Sequence, residues 1–496
     1  MIDTVLPEEV GVSSADVYAM LSSLLKRKIH MHSILLMRHD KIFFECYWSP
    51  FHKDRTHRMY SVTKSFVSVA VGLAEEDGLI DLDATVASYF PEKISSGLGE
   101  WLSEQTVRQM LAMTTVGGCK SWFQERPKDR TYFYFNDRKE KRPAGTVWEY
   151  DSAGSQVLAS LVEKVTGKKL FDYLNERIFK KIGAFSDAKI LLTPNLDSWG
   201  DSGMICTPRD LAVFARFVMN YGEWNGERLM NENYLRTATS KVVDDTVQAF
   251  ETAFGGGYGY QFRKTYDDGF AFVGMGNQLA ICLPRQDLIF VCTADTQGCA
   301  FSRNYISAAF FDNIAEKVSD ERLCVDAEAS EKLKKLSDSL SLFSVNGAAD
   351  SPMREKINEK TFECRENPLG WKNFTFKFEN AEAGELQYTN ERGKMVIQFY
   401  VNRNRFGKFC EEGYSREFGG VCTTDGHKYK DAVSCAWLHE NKLIVFVQII
   451  DDYFGNLSLT FSFKDDIAVV KAVKNAEDFL FDYDGEAVAK MVSANP

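Results

Sequence analysis

The stretch that most constrains this chain is SFVSVAVGLA, residues 65–74. Phe66, Val67, Val69, Ala70, Val71, Leu73 and Ala74 leave no continuous polar face, so the spacing predicts a helix buried on most sides. Gly78 is placed to end it. A helix with no wet face must lie inside a larger assembly of elements, and 496 residues suffice for a sizeable core in two or three domains. Lys64 stands at the mouth of this helix, the only Lys or Arg between Arg58 and Lys93. It follows Ser61 at the i, i+3 spacing that puts both side chains on one helical face.

Two readings fit that pair. A serine hydroxyl becomes a useful nucleophile when a neighbouring base takes its proton, and a lysine is such a base when desolvation or nearby charge lowers its pKa. Alternatively, Ser61 is an N-cap and Lys64 reaches out of the first turn to water. The bare pattern does not choose between them, since Ser23 to Lys26 and Ser186 to Lys189 repeat it.

Composition removes several function classes. A net charge of -11 argues against a nucleic-acid partner, because phosphate binding needs clustered Lys and Arg. SFVSVAVGLA is far shorter than the roughly 18 residues of a membrane span, and MIDTVLPEEVGVSS lacks the basic and apolar regions of a signal peptide. The expectation is a cytoplasmic protein with no membrane partner. Eleven scattered cysteines without a C-x-x-C motif suit free thiols in a reducing compartment. No zinc site or other metal site is expected, and no cofactor.

Along the chain, residues 1–325 alternate strands and helices, with hairpins at 33–48 and 280–295 and helices at 155–167 and 304–318. This reads as an antiparallel sheet flanked by helices. Residues 326–354 suit a linker helix and loop, and 355–496 alternate apolar and polar residues as an antiparallel β domain, barrel or sandwich. The whole is an α+β protein.

The histidines, at 30, 32, 39, 52, 57, 427 and 439, leave none from Arg58 to Gly426, which turns attention to a base other than histidine. GDSGM at 200–204 imitates a serine-protease nucleophile sequence without its β-barrel context, and no G-x-S-x-G elbow occurs. HMH at 30–32 has no acidic or His cluster to complete a metal site. Tyr150 stands two residues before Ser152 at a loop-to-helix junction where Asp151 or Ser152 can cap the helix. Its hydroxyl either shares a proton with a lysine amine or belongs to a packed aromatic.

YSVTKSF, GLAEEDGLIDLD, VRQMLAMTTVGG, PAGTVWEYDSAGSQVLASLVEKVTG, DSGMICTPRDLAVFARFVMNYGEWNGERLM and FVGMGNQLAICLPRQDLIFVCTAD, in that order, resemble the blocks of the serine β-lactamase and penicillin-binding protein superfamily. The nearest branch is similar to the class C β-lactamase-like serine hydrolases: esterases, D-amino-acid amidases and peptidases, and 6-aminohexanoate-dimer hydrolase. The resemblance covers most of residues 7–318 and implies a β-lactamase/transpeptidase-like fold. It implies Ser61 as the acylated nucleophile, Lys64 as its general base and Tyr150 as the tyrosine of a Tyr-x-Asn or Tyr-x-Ser element, with Ser152 in third place. The Ser-x-x-Lys signature of related enzymes is general knowledge.

The family's Lys-Thr-Gly or His-x-Gly appears here as Met275-Gly276-Asn277, with no cation to pair with a substrate carboxylate. Its oxyanion hole would use the backbone amides of Ser61 and Gln278, and Gly276 is small enough for close approach or is an ordinary strand glycine. Trp122, Phe123, Tyr132 and Phe133 either line a pocket or pack a loop. The expected function is hydrolysis of a small ester, amide or peptide through an acyl-enzyme. Its rivals are a β-lactamase or D-alanyl peptidase and a non-catalytic ligand-binding or sensor protein.

Overall fold

The computed structural model describes residues 3–117, 127–245, 254, 256–266, 268–419, 426–476 and 483–492. They group into two compact units, Met1–Ser341 with Glu417–Gly420, and Leu342–Arg416 with Val421–Pro496.

The first unit is organised by a six-stranded antiparallel sheet. Its strands are β1 (Met31–Arg38), β2 (Lys41–Tyr47), β3 (Arg263–Lys264), β4 (Phe270–Gly274), β5 (Gln278–Leu283) and β6 (Leu288–Ala294), in the order β2-β1-β6-β5-β4-β3. His39 and Asp40, both at positive φ, form the tight turn that matches the strand twist between β1 and β2. Every residue of β1, β5 and β6 is buried, because helices cover both faces. Ile34 and Leu36 point into one core with Met20, Leu24 and Phe310 of helices α1 (Ser14–Lys26) and α5 (Ser302–Phe310). Leu35 and Met37 point the other way, into a core with Phe66, Val157 and Phe214 from α2 (Thr63–Glu76), α3 (Ser152–Thr166) and α4 (Pro208–Met219).

Helix α2 is buried without interruption from Thr63 to Ala74, as its apolar run requires. It stops at Asp77, followed by Gly78 at φ +70°. Within 326–354, helix α6 (Ala327–Asp338) sends Leu333 into the sheet's outer core, where Leu340 joins it. The amphipathic half of the segment expected as a linker therefore packs as part of the first unit, which runs on to Ser341.

The second unit is an antiparallel sheet of β7 (Thr361–Cys364), β8 (Asn373–Phe378), β9 (Ala383–Asn390), β10 (Gly393–Val401), β11 (Arg405–Lys408), β12 (Lys430–His439), β13 (Lys442–Ile450), β14 (Phe454–Lys464), β15 (Ile467–Ala476) and β16 (Gly485–Met491). The order is β10-β9-β8-β7-β16-β15-β14-β13-β12-β11, and a short parallel pairing of Tyr400 and Val401 with Ser434 and Cys435 closes β10 onto β12. The sheet is thus a barrel. Its interior is filled with aromatic rings, Phe374 and Phe376 lying 5.2 and 4.8 Å from Phe461 and Phe362 stacking on Phe374 at 5.0 Å.

Candidate active site

Ser61 lies in a tight turn, Tyr60–Val62, that runs directly into α2. Tyr60, at φ +49°, adopts a backbone conformation that a non-glycine residue holds only when its surroundings impose it. Those surroundings are specific. The Met59 amide donates to the Met204 carbonyl at 2.8 Å, and the Thr63 hydroxyl donates to the Tyr60 carbonyl at 2.6 Å while accepting from the Met204 amide at 3.0 Å. The guanidinium of the buried Arg58 lies over the Tyr60 ring at 4.5 Å and over Trp199 at 4.4 Å. Ser61 is thereby presented at the start of a long buried helix, where unpaired amides and the helix dipole favour negative charge.

Lys64 is 2% exposed. Its Nζ donates to Ser61 Oγ at 3.0 Å and to the Asp201 carbonyl at 2.6 Å, and it lies over the Tyr150 ring, 5.1 Å from the centroid. These contacts match the needs of a neutral amine as well as those of an ammonium. A neutral Nζ keeps two protons, for the carbonyl and the ring face, and offers its lone pair to the Ser61 hydroxyl. Tyr150 meets Lys64 with its ring face and is 37% exposed, so its hydroxyl is within reach of water.

The loop that holds Tyr150 is anchored one residue on. Asp151 caps α3 by accepting from the Gly154 amide at 3.1 Å, and its other oxygen accepts from Thr115 Oγ1 at 2.8 Å and pairs with Arg138. Both charged side chains of that pair are 1% exposed. Beside Tyr150, Trp148 and Tyr258 pack ring to ring at 5.4 Å, with Arg263 over both. Burial, and then the neighbouring Tyr150, push the Tyr258 phenol well above its ordinary value, so it stays protonated.

The third wall is the hairpin between β4 and β5, which packs beside the Tyr60–Val62 turn. A side chain on Gly274 would put its Cβ 2.4 Å from the Met59 carbonyl oxygen, so this glycine lets the strand close on the segment that leads into the Tyr60–Val62 turn. Gly276 and Asn277, at φ +73° and +66°, make the turn itself. Asn277 is buried: its amide donates to Thr296 Oγ1 at 2.6 Å and Ser302 Oγ at 2.8 Å, and its oxygen accepts from Arg303 Nε at 3.3 Å. Gln278 opens β5 opposite Gly274, and its side chain closes the hairpin through the Met275 and Ala294 carbonyls at 2.9 and 2.7 Å. Met275 is 40% exposed at the tip, and Ser152 is half-buried in the first turn of α3.

Ser61, Lys64 and Tyr150 are thus brought together, with the strand of Gln278 alongside. Trp122 and Phe123 lie outside the described residues, whereas Tyr132 is exposed and Phe133 half-buried. His57 is hydrogen-bonded to His32 at 2.9 Å and to the Arg58 carbonyl, and burial pushes it down to about 3, so this pair is neutral and structural. Among the described residues, no group of three His, Cys, Asp or Glu is placed to hold a metal ion, and no helix is long and apolar enough to cross a membrane.

Four contributors escape sequence reasoning. Asp201 and Ser202 sit in the GDSG turn, where a protease decoy hid their contacts with Lys64 and Arg58, respectively. Gly274 carries the close approach, and Arg303 brings a cation to the hairpin from α5. A distant tetrapeptide, Glu417–Gly420, also belongs to this unit: Leu192 N–H and C=O pair with Glu417 and Gly419 at 2.9 and 2.7 Å, and the Gly419 carbonyl accepts from Arg130 at 3.0 Å.

Similarity to known proteins agrees with this geometry. The chain is 26% identical over 279 residues to 6-aminohexanoate-dimer hydrolase of Paenarthrobacter ureafaciens, covering 52% of this chain and 71% of that protein. A crystal structure of a protein described as a β-lactamase from Bacteroides dorei superposes with a TM-score of 0.52 at 16% identity, over 60% of this chain and 97% of that one. The octameric penicillin-binding protein homologue of Pyrococcus abyssi aligns over 95% and 98% of the two chains, with a TM-score of 0.48 and 12% identity. The family model described as Beta-lactamase matches residues 19–308, more than half of the sequence, so the chain belongs to the β-lactamase family.

Proposed function

We propose that the protein is a serine hydrolase that cleaves a small ester or amide, peptides included, through an acyl-enzyme on Ser61. The observation that carries this reading is the contact of 3.0 Å between a buried lysine amine and the hydroxyl at the start of a buried helix. Neutral Lys64 takes the Ser61 proton as Oγ attacks the carbonyl carbon. The amides of Ser61 and Gln278 hold the developing oxyanion, and the protonated amine, helped by Tyr150, returns the proton to the leaving group. Water then attacks the acyl-enzyme by the same route in reverse order and releases the acid. Similarity to 6-aminohexanoate-dimer hydrolase supports an amide among the substrates. The nine described cysteines are all free, which supports a reducing, cytoplasmic setting.

Hydrolysis of p-nitrophenyl butyrate from pH 5 to 10 tests the reading. Turnover is expected to rise with pH and to vanish in Ser61→Ala; equal rates in the two proteins would overturn it. Gly274→Ala adds a further check. The clash with the Met59 carbonyl is expected to cost about 1–3 kcal/mol of stability. Displacement of β4 from the nucleophile turn is expected to lower kcat/KM by about 10²-fold. Wild-type rates and an unshifted Tm would show that the strand does not bear on the turn.

Arg303 favours a second reading, that of a β-lactamase or D-alanyl peptidase, because it supplies at the hairpin the cation that Met275-Gly276-Asn277 lacks. Cephalosporin turnover at micromolar enzyme, lost in Arg303→Ala, would establish it; its absence beside ester turnover leaves the first reading standing.

A further inference from the structure

Phe301 occupies the N-cap position of α5 at φ +60°, and its side chain is 71% exposed. Each of these properties is unfavourable for phenylalanine. A helix N-cap calls for Ser, Thr, Asp, Asn or Gly, and a bulky residue in the left-handed region is strained. Packing does not compensate, since the Phe301 ring stacks on no aromatic or cationic side chain among the described residues. The residue is therefore explained neither by the helix it opens nor by the core beneath it. Its position is specific: Asn277, in the turn between β4 and β5, donates to Ser302 Oγ at 2.8 Å and to Thr296 Oγ1 at 2.6 Å, and the Thr296 amide donates to the Gly276 carbonyl at 3.3 Å. These bonds fasten the start of α5 to the hairpin that walls the site. Met275, exposed at the tip of that hairpin, directly follows Gly274, the residue closed against the Met59 carbonyl. Tyr305, one helical turn after Phe301, is exposed as well, with the Arg27 guanidinium over its ring at 4.4 Å.

We propose that Phe301 and Met275 are specificity-determining residues, an apolar platform on the hairpin side of the site that takes an extended, uncharged group of the substrate. This rests on the serine ester or amide hydrolase reading of the same site. The platform is continuous with the wall beside the nucleophile turn, so a substrate whose carbonyl reaches Ser61 can lay an alkyl chain or ring across it. Burial of that chain against the two side chains releases water from both surfaces. Met275 suits chains of different shape, because a thioether on an unbranched stem adapts its rotamers to what it touches. A charged group carried there would lose hydration against a thioether and a phenyl ring. Arg303, the cation of this wall, is engaged with Asn277 at 3.3 Å and lies over the Phe254 ring at 5.8 Å. The strain at Phe301 then has a use, since it holds an aromatic ring out at the entrance that an ordinary cap residue would leave empty.

The test uses the full chain and two pairs of esters: p-nitrophenyl acetate and octanoate, which differ in the acyl group, and ethyl and octyl acetate, which differ in the alcohol. The wild type is expected to favour the eight-carbon member of one pair by about tenfold or more in kcat/KM, and that pair identifies the side of the scissile bond that lies on the platform. Phe301→Ser and Met275→Ser are each expected to reduce the preference by about fivefold through KM, whereas Phe301→Trp keeps it. Phe301→Gly is expected to lose the preference and yet to raise Tm by about 1–3 °C, because glycine takes the left-handed backbone without strain. Equal kcat/KM within both pairs in the wild type, or a preference untouched in Phe301→Ser and Phe301→Gly, would overturn the proposal. Conversion of a dimer to a monomer by Phe301→Ser in sedimentation velocity, with the preference untouched, would make the patch an interface between copies of the chain and likewise overturn it. Ser61→Ala separates the two levels: persistent turnover there overturns the hydrolase reading together with the proposal, while Ser61-dependent turnover without a chain-length preference overturns the proposal alone.

Discussion

Lys64→Ala is expected to lower kcat/KM for ester hydrolysis by about 10²- to 10⁴-fold, the range over which a positioned general base contributes. Alanine removes the atom that stands 3.0 Å from Ser61 Oγ and leaves the hydroxyl at the helix start with no base beside it. Lys64→Arg distinguishes proton transfer from charge. A guanidinium keeps its proton throughout the accessible pH range, so the arginine variant restores the positive charge without restoring the base, and its rate is expected to stay near that of the alanine variant. The burst of p-nitrophenol in the first turnover reads the acylation step directly. A loss smaller than tenfold in both variants would move the proton transfer away from Lys64, with Tyr150, whose ring centroid lies 5.1 Å from Lys64 Nζ, as the next group to replace.

The second large effect concerns stability. Arg138→Met leaves Asp151 charged, 1% exposed and without its cation, a situation that costs about 3–5 kcal/mol when one partner of a buried pair is removed. In a unit of this size that corresponds to a fall in Tm of roughly 5–10 °C, read as the loss of near-ultraviolet signal on heating. Arg138→Met combined with Asp151→Asn is expected to recover part of the loss, because the penalty comes from the orphaned charge rather than from the missing attraction. Additive losses in the double variant would show that the two side chains contribute independently. Ester turnover is expected to fall with the single change even below the melting range, since Asp151 holds the residue next to Tyr150.

Much of this site is legible in the chain because its parts are local. Ser61 and Lys64 are one helical turn apart, Asp151 caps the helix that follows Tyr150, and Gly78 and Gly167 mark helix ends by their left-handed backbone. The barrel strands are readable for the same reason, since alternation is a property of neighbouring residues. The contributors that escape reading are those joined only by the fold. Asp201 reaches Lys64 across 137 positions, and the Gly419 carbonyl reaches Arg130 across 289. Gly274 looks like any strand glycine until Met59 is placed against it. The linker expectation failed to extend the first unit because the polar composition of α6 outweighs, in a linear reading, the single buried leucine that docks it.

The membership of Glu417–Gly420 in the first unit bears on how the molecule is made. When the ribosome has synthesised Ser341, every side chain named in the reaction has been made, yet the backbone of Leu192 still lacks the neighbour that takes its N–H and C=O. The Trp199 ring, against which Gly419 packs too closely to admit a methyl group, likewise lacks this neighbour. The same ring also lies under the guanidinium that covers Tyr60. Completion of the hydrolytic half of the molecule therefore waits on some eighty further residues of translation, and the nascent enzyme gains its last support only after much of the following domain has left the tunnel.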